Sequence, residues 1–226
     1  MSNESRAGQK RLFSWWAISA LAALVAVVAV KSLWAGTSGA DVFRVEEDWQ
    51  LVVGDPDYAT NGPQVTVTIS PADMGTAFCA FDLNYHTQPD YSAGGLQIHT
   101  WDPVDPIEYS NSIHNGIMET SGETVTWTQT MTWKDSSLNF RVVNGQSETW
   151  GNFGGNGTSN GHLNLDLPTT LSNLNGYSPS VSLDNSGVSF ASNRVNTLTL
   201  MAVRRFDANG NLIDEITTPQ AIHPQQ

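Results

Sequence analysis

The segment Val125-Thr126-Trp127-Thr128-Gln129-Thr130-Met131-Thr132-Trp133 sets threonine at every second position over nine residues. A period of two sends successive side chains to opposite faces of a strand, whereas a helix would scatter them round its circumference. The same alternation runs through Gln64-Val65-Thr66-Val67-Thr68-Ile69-Ser70. It recurs in residues 76–86, where Cys79, Phe81, Leu83 and Tyr85 share one phase. Further strands are expected over 42–53, 96–101, 138–150, 162–167, 181–183, 188–190, 195–206 and 212–216. Val, Thr, Phe and Trp supply their β-propensity. No helical period of useful length follows Val30.

The punctuation agrees with that reading. Asn-Gly occurs seven times, at Asn61, Asn115, Asn144, Asn156, Asn160, Asn175 and Asn209. This dipeptide accepts the positive φ angles of tight hairpin turns. Many short strands with such turns predict an all-β fold, an antiparallel β-sandwich or jelly roll. No fixed-period repeat is present, which argues against a propeller or a solenoid. The Gly- and Asn-rich stretch 151–161 is expected to be a long mobile loop. The tail 219–226, with Pro219 and Pro224, is expected to fray.

One segment stands apart from this pattern. An 18-residue run without a charged residue begins at Phe13 and ends at Val30. At 1.5 Å per residue it makes about 27 Å of helix, close to the ~30 Å hydrocarbon core of a bilayer. Lys31 can snorkel, so the span extends to Trp34, and Trp15, Trp16 and Trp34 suit the two interfaces. Arg6, Lys10 and Arg11 before the run place the N-terminus in the cytoplasm by the positive-inside rule. The competing reading is a signal peptide cleaved after Ala40, where Ser38-Gly39-Ala40 supplies small residues. The length of the run, and Lys31 and Trp34 beyond it, favour an uncleaved signal-anchor. The expected organisation is a cytoplasmic N-terminus over 1–12, a transmembrane helix over 13–34, a linker over 35–40, an extracytoplasmic sandwich over 41–218 and the tail. The expected location is the cell membrane, or the periplasm or exterior if cleavage occurs.

Of the chain's 22 Asp and Glu, only Glu4 precedes residue 41, whereas four of its ten Lys and Arg do. The exported part therefore carries a formal charge of −15. Nucleic acid is excluded as a partner, because phosphates call for clustered Lys and Arg. Docking of the acidic domain on an anionic membrane surface is excluded on the same ground. The single cysteine, Cys79, rules out an intrachain disulfide and sits in the core phase of its strand.

Candidate functional residues come from strand phase. Asp82, Asn84 and His86 lie opposite the Cys79/Phe81/Leu83/Tyr85 phase, and Gln97, His99 and Trp101 lie opposite Leu96 and Ile98. If the two strands pair, these six form one carboxylate, amide, imidazole and indole surface. Such a surface suits a sugar, with the indole stacked on the ring and the polar groups bonded to its hydroxyls. An ordinary solvated sheet face is the competing reading. Thr124, Thr126, Thr128, Thr130 and Thr132 form a ladder on one strand face, which a polar strand explains as well as a lattice-binding array does.

Asp207-Ala208-Asn209-Gly210-Asn211 with Asp214 offers oxygen ligands for Ca²⁺, but Leu212 occupies the position where an EF-hand needs glycine. A plain hairpin turn explains it, and no cofactor is expected. Asp55, Asp57, Asp102 and Asp105 sit in proline-containing loops with no diagnostic spacing. The five histidines lack a zinc spacing, and no nucleophile elbow or phosphate loop occurs. No catalytic residue is assigned.

Val45-Glu46-Glu47-Asp48-Trp49-Gln50-Leu51-Val52-Val53, Gly94-Gly95-Leu96-Gln97 and Gly122-Glu123-Thr124-Val125-Thr126-Trp127-Thr128-Gln129 resemble segments of a group of exported proteins of planctomycete-type bacteria. Ser186-Gly187-Val188 and Asn193-Arg194-Val195 extend the resemblance, which covers most of 42–218. That group brings no assigned activity, so it implies no functional residue here. The strand pattern is also similar to concanavalin A-like jelly rolls, which bind or cleave glycans; that is an analogy of fold class. The expected function is a binding or interaction module at the cell envelope, with envelope glycan or protein as ligand and the bilayer as the partner of the N-terminal helix. The alternatives are a carbohydrate-active enzyme, glycosidase or lyase, on the same scaffold, and a self-assembling structural envelope protein.

Overall fold

Thirteen strands, one short α-helix and a single 3-10 turn make up the described residues, which are 39–55, 62–85, 94–155 and 163–224 of a computed structural model. One sheet has eight strands. Its path runs β12 (Leu212–Ile216), β11 (Val195–Phe206), β1 (Arg44–Val53), β6 (Thr124–Lys134), β7 (Ser137–Ser147), β8 (Gly151–Phe153). Off this path, β13 (Gln220–His223) pairs with β11 and β9 (Asn164–Pro168) pairs with β7. The other sheet orders β10 (Gly187–Phe190), β2 (Gln64–Ile69), β3 (Phe78–Leu83), β4 (Leu96–Asp102), β5 (Asp105–Asn111). The strand pairs are antiparallel, and the expected two-sheet β architecture is present. The expected transmembrane run from Phe13 to Val30 lies outside the described residues. Among the described residues no helix is long and apolar enough to cross a membrane.

Alternation dictates the core. On β1, Val45, Glu47, Trp49, Leu51 and Val53 are buried, while Arg44, Glu46, Asp48, Gln50 and Val52 are half-buried on the other face. β6 lies alongside in register, Trp127 opposite Trp49 and Met131 opposite Val45. The two indoles stack at 6.5 Å, and Phe81 of β3 meets Trp127 edge-on at 5.7 Å. That contact joins the sheets. Burying aromatic side chains of this size contributes roughly 2–3 kcal/mol each from area alone, with ring geometry adding to it. Cys79 lies in this core as a free thiol.

The turns depart from expectation in an instructive way. Of the Asn-Gly pairs, Asn209-Gly210 closes the β11–β12 hairpin, with the Gly210 amide bonded to the Asp207 carbonyl at 3.0 Å. The β6–β7 hairpin turns instead on Asp135 and Ser136, at φ 52° and 60°. Asn144-Gly145 lies inside β7, where the register slips between Thr126 and Thr128. There Asn144 adopts φ 55°, and a Cβ on Gly145 would strike the Phe153 ring at 2.2 Å. The dipeptide thus forms a bulge that lets Phe153 into the core.

Four elements correct the sequence expectation. Residues 181–183 are helical, within α1 (Pro179–Asn185), rather than a strand. Pro179 starts the helix, where its missing amide donor costs nothing. The proline-containing loop around Asp105 is the edge strand β5. Pro106 is tolerated there because an edge strand need not donate on both sides. The tail expected to fray contains β13, paired with β11. The stretch expected as a long loop begins with β8, and residues 156–162 lie outside the described set.

Candidate functional site

Register turns the expected polar face into three rows across the five-stranded sheet. Asp82 faces Thr66 on one side and Gln97 on the other, and Gln97 faces Asn111. In the next row Thr68, Ala80, His99 and Tyr109 are neighbours. In the third, Phe78 faces Trp101, which faces Pro106. Opposite residues of an antiparallel pair share a face, so the pairing required of β3 and β4 exists. It brings Asp82, Gln97, His99 and Trp101 together on the face turned away from the eight-stranded sheet.

Hydrogen bonds tie the rows. Thr66 Oγ1 donates to Asp82 Oδ1 at 2.5 Å, and Asp82 Oδ2 lies 3.3 Å from His99 Nε2. Gln97 Nε2 donates to Asn111 Oδ1. The imidazole of His99 meets the Trp101 indole edge-on at 5.4 Å, and Trp101 stacks on Phe78 at 6.3 Å. Burial raises the Asp82 carboxyl above its ordinary value, against the opposing pull of His99 and Thr66. Burial also lowers His99, against the pull of Asp82. Both directions favour the uncharged pair, so His99 enters neutral solution as an imidazole able to donate and accept.

The six expected residues separate by role. Asp82 and Gln97 keep only 7% and 4% of their surface, which makes them supports rather than first contacts. Asn84 is wholly buried at φ 59°, donating to the Pro63 carbonyl and accepting from the Met118 amide. It fixes two loops and does not present itself to a ligand. His86 lies outside the described residues. His99 and Trp101 are half-buried and accessible. Tyr109, 70% exposed and beside His99, joins them. It escaped the sequence reading because Pro106 hid its strand; the Tyr109/Asn111 phase was the available signal.

The other candidates resolve locally. Asp207 Oδ1 accepts the Asn209 and Asn211 amides at 2.9 and 2.8 Å, and its Oδ2 accepts Asn211 Nδ2. The carboxylate is committed to its own turn. Among the described residues no three His, Cys, Asp or Glu side chains cluster as a metal site. The threonine ladder lies on the outer face of β6, but Thr128 and Thr130 are buried, and Thr128 Oγ1 donates to Asp48 Oδ1 at 2.8 Å. Arg204 pairs with Glu46, Asp48 and Glu215 beside it.

One carboxyl has the acidity of a general acid. Burial pushes Glu47 up to about 7, against donation from Ser182, Tyr177 and Trp49. Its side chain is nevertheless completely buried, so no substrate meets it in this conformation. On β1, Glu47 shares the inward phase of Val45 and Trp49.

No family model matches the chain, and no curated protein matches it, so neither lends support to the planctomycete-type resemblance. Among solved structures, the chain is similar to that titled "Crystal structure of scytalido-glutamic peptidase with a transition state analog inhibitor". The identity is 14%, over 80% of this chain and 82% of that one, at a TM-score of 0.28.

Proposed function

We propose that this protein is a binding module of the cell envelope, held at the membrane by residues 13–34, with glycan as its ligand. The observation that carries the reading is the edge-on contact of His99 with Trp101 beside the exposed Tyr109. An indole and a phenol offer flat apolar faces to a pyranose, and a neutral imidazole adds a donor or acceptor for a hydroxyl. Asp82 orients that imidazole from below, and Phe78 backs the indole. A site of two or three accessible aromatic groups fits weak, multivalent binding to a polymer rather than tight capture of one small molecule.

The test is calorimetric titration of the full chain with chitohexaose, cellohexaose and a disaccharide-peptide fragment of peptidoglycan. A dissociation constant on the order of 0.1–1 mM for one of them is expected. Trp101→Ala should weaken it at least about tenfold, while Thr132→Ala on the other sheet leaves it unchanged. No heat from any of the three at ~10 mM would remove glycan as the ligand.

A further inference from the structure

Seven large apolar side chains are conspicuously exposed among the described residues, and five of them fall between positions 104 and 117. These are Val104 (80%), Ile107, Tyr109, Ile113 and Ile117. They decorate the turn between β4 and β5, β5 itself and the loop that follows it. Nearly every residue of β5 is exposed, and the strand is the edge of its sheet. The Ser112 amide donates to the Leu96 carbonyl at 2.8 Å. By antiparallel alternation, the backbone groups of Ser110 and Glu108 then point towards β4, and those of Tyr109 and Asn111 point to the open side. Among the described residues no strand pairs with β5 on that side.

Charge identifies what fits. The 89 residues from 45 to 133 contain no Lys or Arg and 13 Asp and Glu. β5 itself carries Asp105 and Glu108, and Asp102 stands at the end of β4. A second copy of this chain would bring the same carboxylates against one another, and an anionic lipid surface would be repelled. We propose that the open edge of β5 receives an extended basic polypeptide segment, which adds a sixth strand to this sheet. Main-chain bonds to Tyr109 and Asn111 give the register. Alternate apolar side chains of the partner cover Ile107 and Tyr109, and its Lys or Arg side chains meet Asp105 and Glu108. Pro106 ends the ladder, because it has no amide to donate. The added strand and a glycan would share Tyr109, but the edge pairing rests on the open backbone of β5 and on its charge, not on glycan binding.

The test uses the full chain and three fluorescent eight-residue peptides. One alternates Lys with Val, one replaces every Lys by Glu, and one is the Lys peptide N-methylated at alternate backbone amides. Anisotropy should show the Lys peptide binding at least about tenfold more tightly than either control, weakening as salt rises. Hydrogen exchange should slow at Tyr109 and Asn111 in its presence. Glu108→Lys should abolish the preference, and since Glu108 is exposed the variant keeps its fold. Equal binding of the Lys and Glu peptides would overturn the proposal, as would protection elsewhere. So would concentration-dependent self-association of the chain that Ile107→Lys removes.

Discussion

Replacing Glu47 by Gln should make this protein more stable at neutral pH and flatten its stability against pH. The wild-type carboxyl is fully buried and titrates at about 7 in the fold, against an ordinary value of 4.5. Between those values the folded state holds a proton that the unfolded chain has released. The contribution of the group is therefore complete below about pH 4.5 and is lost as pH rises through 7. At 1.36 kcal/mol per pH unit, the gap corresponds to about 3 kcal/mol. Gln keeps the shape and cannot ionise, so this loss disappears.

The exchange has a cost that does not vary with pH. Glu47 Oε1 accepts the Tyr177 and Ser182 hydroxyls at 2.7 and 2.5 Å, and Oε2 accepts Trp49 Nε1 at 3.0 Å. A Gln amide that keeps the first two contacts turns its NH2 towards the indole donor, at a cost of about 1–3 kcal/mol. Urea unfolding followed by tryptophan fluorescence, at intervals from pH 4.5 to 8, separates the two effects. The difference between variant and wild type should shift by about 3 kcal/mol in favour of the variant across that range. Asp82 adds slope of the same sign to both proteins and cancels in the difference. Parallel curves for the two proteins would refute the reasoning, because they would mean that Glu47 is as free to ionise in the fold as in the unfolded chain.

Ser136→Gly should raise stability by about 1 kcal/mol in the same assay, because Ser136 holds φ 60° in the β6–β7 turn and a left-handed residue with a Cβ costs about that much. No gain would mean that the added freedom of glycine in the unfolded chain cancels it. Cys79 should resist Ellman's reagent in the native protein and react at once in 8 M urea, since burial and the neighbouring Asp82 both push its thiol upward. Labelling under native conditions would contradict the core position.

Period-two alternation made most of this fold legible. Strands β11 and β12 coincide with their expected bounds, and the phases of Asp82 on β3 and of Gln97, His99 and Trp101 on β4 were legible strand by strand. The pairing of β3 with β4 was the missing term, because register is a property of two segments and alternation of one. β5 was hidden by Pro103 and Pro106, which mark a turn locally and an edge strand globally. Asn144-Gly145 looked like a hairpin because the dipeptide only declares positive φ; whether that serves a turn or a bulge depends on where Phe153 packs. Asn84 shares the outward phase of Asp82, yet a positive φ just past β3 turns its amide onto Pro63 and Met118.

The two largest misreadings share one cause. Val181-Ser182-Leu183 was expected as a short strand, and Glu47 was given no structural role. In the fold, the Ser182 hydroxyl of α1 and the Tyr177 hydroxyl just before it meet on the same Glu47 oxygen. Three residues cannot distinguish helix from strand by periodicity. The deciding interaction is 135 residues away in the chain. Nor would a carboxyl be buried on β1 without those donors and Trp49 to receive it. An apolar residue at position 47 would pack the sheet equally well but give α1 no unique seat. The buried acid is thus the element that specifies where the helix docks, and Glu47→Leu should leave the sheets intact while loosening 177–185. Hydrogen exchange confined to that segment would show it; uniform protection across Glu47→Leu would leave the docking of α1 to its apolar contacts alone.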